Sequence, residues 1–351
     1  MTSFTMASFP SPKSKTGTLF VGFLFLLLSY FVVMDILVYQ SLQTMDLVKQ
    51  DHMGGYSPFR PLSVKLLMLD HMDHYVYIPL AELVFTIFEP TGIYFILTPN
   101  VISFTGLFLG FVAGKFVSME SLYHRRIGVL IFEYRMWLDV LDGVVFRHTS
   151  GNPVYKSHRT TLGFFIDVDC DIISGVALAF GCLFYLWKCP PLIQPRDLLL
   201  PISKPFLNTT VNGHCSDSPG KNNGTHNKAT KNYIFLKCLV FGGVIMLATT
   251  TWDNMLQLYS DVLQTPMETS VQEERQWEAL HSGVTWLSMW LWRFCEAQTL
   301  LHLLQLAIVT DKIWEFLNFI QFAGFVALAM LNLFSYIQIR HMRSMLTIYD
   351  S

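Results

Sequence analysis

Two pairs of aspartates have the residue types and the spacing to bind a metal ion: Asp139 with Asp142, and Asp167 with Asp171. Because residues three or four apart share one face of a helix, each pair would present its carboxylates in one direction. Both pairs lie where an apolar segment meets a polar loop, and uncompensated acids at the edge of a bilayer are costly. Hard cations such as Mg²⁺ or Mn²⁺ prefer carboxylate oxygens and often hold substrate phosphates as well. The aspartates therefore predict a metal–phosphate site at a membrane surface.

These aspartates belong to a longer pattern that resembles the signature of the CDP-alcohol phosphotransferases. The pattern consists, in order, of Asp139, Asp142, Gly143, Arg147, Gly163, Asp167 and Asp171. The chain departs from that family at two points: Phe146 stands where the family usually has alanine, and the interval between Arg147 and Gly163 is longer than usual. On a chain of this layout, both departures resemble the invertebrate ceramide phosphoethanolamine synthases within the family.

The resemblance implies a role for each position of the pattern. The metal ligands would be Asp139, Asp142, Asp167 and Asp171. The resemblance implies that they hold two ions of Mn²⁺ or Mg²⁺. Asp171 would also be the general base that accepts the proton of the acceptor hydroxyl.

The remaining positions would bind the nucleotide side of the substrate. By resemblance, Gly143 lets the nucleotide approach the backbone because no Cβ stands in the way, and Arg147 contacts the diphosphate. Gly163 would keep the third core helix close to the second. Phe146 would either stack on the base or narrow its pocket.

The reaction implied by the resemblance moves phosphoethanolamine from CDP-ethanolamine to the primary hydroxyl of ceramide, with release of CMP, by metal-assisted in-line attack. One alternative keeps the reaction but uses diacylglycerol as acceptor, as an ethanolamine or choline phosphotransferase does. A second alternative, from another class, is a cation transporter that uses the same acids. A transporter would not require Gly143, Arg147 and Gly163 at these spacings, and it would stack acids along the membrane depth.

The composition is that of an integral membrane protein. Of its 351 residues, 52% are hydrophobic and only 14% are charged, against about 25% charged in soluble domains. The net charge of −2 gives no indication of a nucleic-acid partner. The cysteines are scattered without a C-x-x-C pair, which argues against a zinc site. Cys189 and Cys215 flank one polar loop and would either pair, if the loop were lumenal, or remain free thiols.

We predict an all-α integral membrane protein with a six-helix phosphotransferase core, an extra N-terminal transmembrane helix and an interfacial helical segment. Residues 1–40 contain a polar tail and an apolar run that is long enough to span a bilayer as a signal anchor. A cleaved signal peptide is the alternative, but no small-residue cleavage site follows the run. Residues 41–98 would form a polar linker and interfacial helices, 99–340 the transmembrane domain, and 341–351 a tail.

The expected core spans are 100–117, a second up to about 145, 163–187, 233–250, 283–309 and 314–338. A polar loop at 188–232 carries the glycosylation sequons of Asn208 and Asn223, and an acidic connection occupies 251–280.

Each group of charged residues outside the pattern allows two interpretations. Asp70, His71, Asp73 and His74 are metal-ligand types, but we favour a solvated turn over a role in lining the headgroup site. Arg135 lies four residues before Asp139 and would either pair with it or extend towards water.

Arg293, Glu296 and His302 share the fifth expected span. Ionisable residues inside a membrane suggest function by default, so these side chains indicate either a lipid site or a structural pair between the arginine and the glutamate.

The expected orientation follows from charge and span number. Lys13 and Lys15 favour a cytosolic N-terminus, and the extra helix then places the carboxylate site in the lumen. The sequons oppose this orientation, because they would lie in a cytosolic loop. By resemblance, the protein resides in the Golgi membrane among lipids, with ceramide and CDP-ethanolamine as partners. A homodimer is compatible with the resemblance.

Overall fold

The computed structural model describes residues 15–45, 47, 57–60, 63–93, 97–150, 162–193 and 227–347. The helices are α1 (Lys15–Leu42), α2 (Val64–Met68), α3 (Ile78–Phe88), α4 (Pro99–Val117), α5 (Leu122–Thr149), α6 (Leu162–Lys188), α7 (Lys231–Leu263), α8 (Ser270–His281), α9 (Gly283–Cys295), α10 (Ala297–Val309) and α11 (Ile313–Thr347). A π-helical turn (Asp73–Tyr77) precedes α3 and a 3₁₀ turn (Glu89–Thr91) follows it. Two short strands, β1 (Leu192–Ile193) and β2 (Asn227–Lys228), pair antiparallel.

Five described helices, α1, α4, α6, α7 and α11, are long and apolar enough to cross a membrane. The prediction of an all-α multi-pass membrane protein is therefore confirmed. Helix α5 is equally suited in length, with 28 residues, but it carries the charged residues of the site and is less apolar. Helices α9 and α10 are each too short to cross alone, at 13 residues.

The transmembrane bundle has two distinct ends. At one end, which we call the distal end, Asp311 accepts hydrogen bonds from Arg125 near the start of α5 (2.7 Å) and from Tyr185 near the end of α6 (3.1 Å). At the other end, the aromatic ring of Tyr39 in α1 lies 5.3 Å from that of Trp286 near the start of α9. The start of α1 and the junction between α5 and α6 are consequently at opposite ends.

Helix α4 packs most extensively against α5 and α6 and brings them together. The contact with α6 depends on a glycine, because a Cβ at Gly110 would lie 2.7 Å from the Cβ of Ser174. At Gly128 of α5, a Cβ would lie 2.8 Å from Val117 of α4. These small residues let three helix backbones approach closely, as is common in membrane bundles.

Helix α1 is attached to the bundle through a buried acid. Most of its large apolar side chains are exposed, but Asp35 is buried at 8% exposure. The Asp35 carboxylate pairs with Arg293 of α9, bonds to His71 at 3.0 Å, and accepts from the Tyr75 hydroxyl and the Trp290 indole at 2.7 Å each. Polar contacts thus complement the lipid-facing surface of α1 in fixing its position.

Two expected boundaries were wrong. The fifth span is not one helix over 283–309, because the chain is extended at Glu296 (φ −69°, ψ 149°) between α9 and α10. Helix α7 does not end near residue 250 but continues to Leu263, since its last turns bury Met255, Leu256 and Tyr259 in the core. The expected acidic connection is therefore partly helical, in α7 and α8.

The structure describes one of the two cysteines that were predicted either to pair or to remain free thiols. Cys189, directly after α6, is disulfide-bonded. Cys215 and the sequons of Asn208 and Asn223 lie outside the described residues.

Candidate metal and substrate site

Three of the four predicted carboxylates converge between the second half of α5 and the first half of α6. Asp139, Asp167 and Asp171 each offer one oxygen, and these oxygens lie within 4.8 Å of one another. We call these residues the carboxylate trio. All three are partly buried, and they meet because α4 holds both parent helices against itself. The trio has the donor type and spacing to hold a metal ion.

Arg135 supplies a positive charge to the trio. Its guanidinium is buried, forms an ion pair with Asp171, and lies 3.8 Å from the carboxylate of Asp139 one turn along α5. Of the two alternatives for Arg135, the pair with Asp139 is therefore the one that the structure shows. The contact with Asp171 was missed, because it depends on how α6 is placed beside α5.

The fourth carboxylate, Asp142, is directed towards α4. It is 4% exposed and accepts a 2.6 Å hydrogen bond from the hydroxyl of Ser103. It also interacts electrostatically with Asp167 and Asp139. Asp142 is therefore adjacent to the trio, and its role as a metal ligand stays a prediction. The role of Ser103 was not foreseen, since a lone serine in an apolar segment gives no signal.

The predicted substrate-binding residues lie at the same end of the bundle. A Cβ at Gly143 would lie 3.4 Å from Nη1 of Arg147, so the glycine leaves room beside the guanidinium. Phe146, which directly precedes Arg147, is partly buried. At Gly163 a Cβ would meet Asn100 of α4 at an ordinary 3.7 Å. The close helix approach expected at Gly163 is instead found at Gly110, between α4 and α6.

A second group of acids lies beside the trio and is buried. This inner acidic cluster consists of Asp70, Asp73 and Glu296, which are 1%, 6% and 7% exposed. Glu296 accepts a 2.6 Å hydrogen bond from the backbone N–H of Asp70. The interpretation of residues 70–74 as a solvated turn is therefore wrong, because the π-helical turn packs against α3 and α5 and is removed from solvent.

Burial raises the pKa of the Asp73 carboxyl well above its ordinary value, and the nearby Asp70, Glu296 and Asp139 carboxylates act in the same direction. Lys65 of α2 lies within electrostatic range of Asp73, Glu296 and Asp167. The inner acidic cluster and the trio are therefore neighbours with Lys65 between them. No local pattern in the sequence pointed to Lys65.

A chain of polar contacts extends from the inner acidic cluster towards α5. The His302 Nε2 atom lies 4.0 Å from Asp70, and its Nδ1 atom lies 3.2 Å from Glu133. Glu133 also accepts a hydrogen bond from the hydroxyl of Tyr77. Arg293 does not belong to this chain of contacts. Its ion pair is with Asp35, whereas one of the two interpretations of the sequence paired it with Glu296.

Comparison with known proteins bears on this arrangement. The family model described as ceramide phosphoethanolamine synthase matches residues 53–347. The chain belongs to the ceramide phosphoethanolamine synthase family. Ceramide phosphoethanolamine synthase of Drosophila melanogaster is 33% identical over 277 residues, which are 78% of this chain and 66% of the relative. The chain thus spans slightly less than two thirds of that relative's length. No solved structure gives a significant match.

Membership of the ceramide phosphoethanolamine synthase family confirms the resemblance read from the aspartate pattern. The matched residues begin after α1 and include the carboxylate trio, Arg135 and the inner acidic cluster. The two groups of acids are therefore both within the part of the chain that is similar to the family.

Proposed function

We propose that this chain is a CDP-alcohol phosphotransferase that transfers phosphoethanolamine from CDP-ethanolamine to the primary hydroxyl of ceramide and releases CMP. The observation that carries the proposal is the convergence of Asp139, Asp167 and Asp171 around Arg135, in a chain of the ceramide phosphoethanolamine synthase family. The catalytic unit would be the transmembrane domain of residues 99–340, with the described parts of 41–98 packed against it.

The trio is suited to a hard divalent cation. All its ligands are carboxylates, and Oδ1 of Asp167 is buried without a hydrogen-bond partner among the described residues. Such an all-oxygen set suits Mn²⁺ or Mg²⁺, with Asp142 close enough to take part if two ions bind. A bound cation would neutralise phosphate charge during the transfer.

The residues of the chain would then position the reactants, which is most of what a protein contributes to phosphoryl transfer. The acceptor oxygen attacks the phosphorus that carries ethanolamine, the bond from that phosphorus to CMP breaks, and the hydroxyl proton passes to Asp171. The Asp171 side chain is 31% exposed against 15% for Asp139, so an acceptor hydroxyl can reach it. Arg135 orients the Asp171 carboxylate, and Arg147 binds the diphosphate through its planar fork.

We further propose that the site faces the Golgi lumen. This orientation is supported by the N-terminal end of α1, which begins at Lys15 two residues after Lys13 and is at the opposite end of the bundle from the trio. The disulfide at Cys189, at the distal end, favours the reverse orientation, because disulfides persist mainly in oxidising compartments. Labelling of single cysteines introduced at Glu89 and at Glu120 in sealed vesicles distinguishes the two, since only the residue on the outer face reacts.

Transfer assays with the purified full chain test the activity. The protein is given Mn²⁺, CDP-ethanolamine and an equal mixture of ceramide and diacylglycerol, and the lipid products are separated. We expect product on ceramide alone. Product on diacylglycerol would refute the proposed acceptor, and no product on either lipid would refute the proposed reaction.

A further inference from the structure

The two basic side chains next to the inner acidic cluster, Arg293 and His302, are engaged by other acids. Arg293 interacts with Glu296 but is already ion-paired with Asp35. His302 is bonded to Glu133 and lies only within 4.0 Å of Asp70. Buried acids without sufficient counter-charge are strongly destabilising.

Lys65 is another cation beside the cluster, and it is shared. It lies within electrostatic range of Asp73 and Glu296, but also of Asp167 in the carboxylate trio. One ammonium group cannot compensate acids in both groups. The inner acidic cluster therefore has the charge of a site for a cationic ligand.

One oxygen of the cluster is open to such a ligand. The Oδ1 atom of Asp70 accepts hydrogen bonds from the backbone N–H groups of Met72 at 2.8 Å and Asp73 at 3.2 Å. The Oδ2 atom of Asp70 has no hydrogen-bond partner among the described residues, although the residue is only 1% exposed. A buried acceptor without a donor destabilises the folded protein, and a bound N–H donor would remove that cost.

The helix break at Glu296 is a second, independent feature of a ligand site. The chain leaves the helical conformation between α9 and α10, inside the bundle. The hydroxyl of Thr299 donates a 2.6 Å hydrogen bond to the carbonyl of Arg293 and satisfies one group freed by the break. Irregular backbone at membrane depth is tolerated where it is buried in protein or lines a cavity, and broken helices often carry substrate contacts.

We infer that Asp70, Asp73 and Glu296 bind the primary ammonium of the headgroup that is transferred, an inference that rests on the proposed function. An ammonium has three N–H donors, which suits carboxylates from two sides. Only two carbon atoms separate this amine from its phosphate, so its site must adjoin the phosphate site. Asp73 interacts with Asp139 and Lys65 with Asp167, which places the cluster beside the trio.

Donor binding to the purified full chain tests the inference without any lipid acceptor. Displacement of labelled CMP in the presence of Mn²⁺ measures the affinities of CDP-ethanolamine, of CDP-choline, and of CDP-propanol as an uncharged analogue of equal size. We expect the wild type to bind CDP-ethanolamine roughly 10- to 100-fold more tightly than CDP-propanol, as for hydrogen bonds between charged groups. CDP-choline, whose nitrogen has no N–H, should bind more weakly than CDP-ethanolamine.

Substitution locates the amine contact. The variants Asp70→Asn, Asp73→Asn and Glu296→Gln should bind CDP-ethanolamine at most a few-fold more tightly than CDP-propanol. Their affinity for CDP-propanol should stay that of the wild type. Glu89→Gln, which neutralises an exposed acid in the 3₁₀ turn after α3, is the matched control and should keep the full preference.

The outcomes separate the two proposals. Equal binding of CDP-ethanolamine and CDP-propanol by the wild type would overturn the headgroup inference alone. If all three variants bound neither CDP-ethanolamine nor CDP-propanol, these acids would have a structural role. That result would also overturn the headgroup inference. Failure of every cytidine nucleotide to bind would instead refute the proposed function.

Discussion

Arg135 of α5 and Asp171 of α6 form an ion pair at the centre of the carboxylate trio. The guanidinium is 3% exposed and also lies 3.8 Å from Asp139. Two of the three candidate ligands therefore share one buried cation. Arg135 would keep the carboxylates together when no metal is bound, and it would orient Asp171 when one is.

Replacing Arg135 tests this role. Arg135→Met leaves the trio without its cation, so the protein should lose about 3–5 kcal/mol of stability in the presence of a chelator. Added Mn²⁺ should recover part of that loss, because it provides the missing positive charge. Thermal unfolding with and without Mn²⁺ measures both effects. Arg340→Met, at an exposed position of α11, is the control and should change neither value. An unchanged unfolding temperature for Arg135→Met in chelator would contradict the assignment.

The carboxylate trio should be indispensable for transfer. Asp139→Asn, Asp167→Asn and Asp171→Asn each remove a charged ligand at nearly constant volume, so each should abolish product formation from CDP-ethanolamine and ceramide. Asp169→Asn is the matched control, because Asp169 is exposed on the same turn of α6. It should retain wild-type activity. Full activity in any of the three trio variants would remove that residue from the site.

The attachment of α1 should depend on the buried pair between Asp35 and Arg293. Asp35→Asn leaves the arginine buried without a counter-charge and should destabilise the protein by about 3–5 kcal/mol. The double variant Asp35→Asn with Arg293→Met removes both charges and should regain much of that loss. A double-mutant cycle of unfolding free energies gives the coupling. Strictly additive effects would show that the pair does not contribute to holding α1.

The close contact of α4 with α6 should tolerate no side chain at Gly110. In Gly110→Ala, the new Cβ would lie 2.7 Å from Ser174, so α4 and α6 must separate and stability should fall. In Gly175→Ala, the new Cβ meets nothing within 4 Å, and the higher helix propensity of alanine should be neutral or stabilising by up to about 1 kcal/mol. Thermal unfolding of both variants compares them, and equal stability would disprove the close contact.

The features that could be predicted from the sequence are local ones. Apolar length identified α1, α4, α6, α7 and α11 as segments that can cross a bilayer, and helical spacing predicts that each aspartate pair shares a face. The ion pair between Arg135 and Asp139 is local too, because one helical turn separates the residues. The family resemblance also came from an ordered pattern in a short stretch.

Tertiary structure alone decided which of these groups meet. Asp142 turns towards Ser103 of α4, while one oxygen each of Asp139, Asp167 and Asp171 lies within 4.8 Å of the others. Asp70 and Glu296 are 226 positions apart and yet share a hydrogen bond. Asp35 meets Arg293 across 258 positions. Spacing along one helix carries no information about such contacts, because they depend on which helix faces pack together and where α9 breaks.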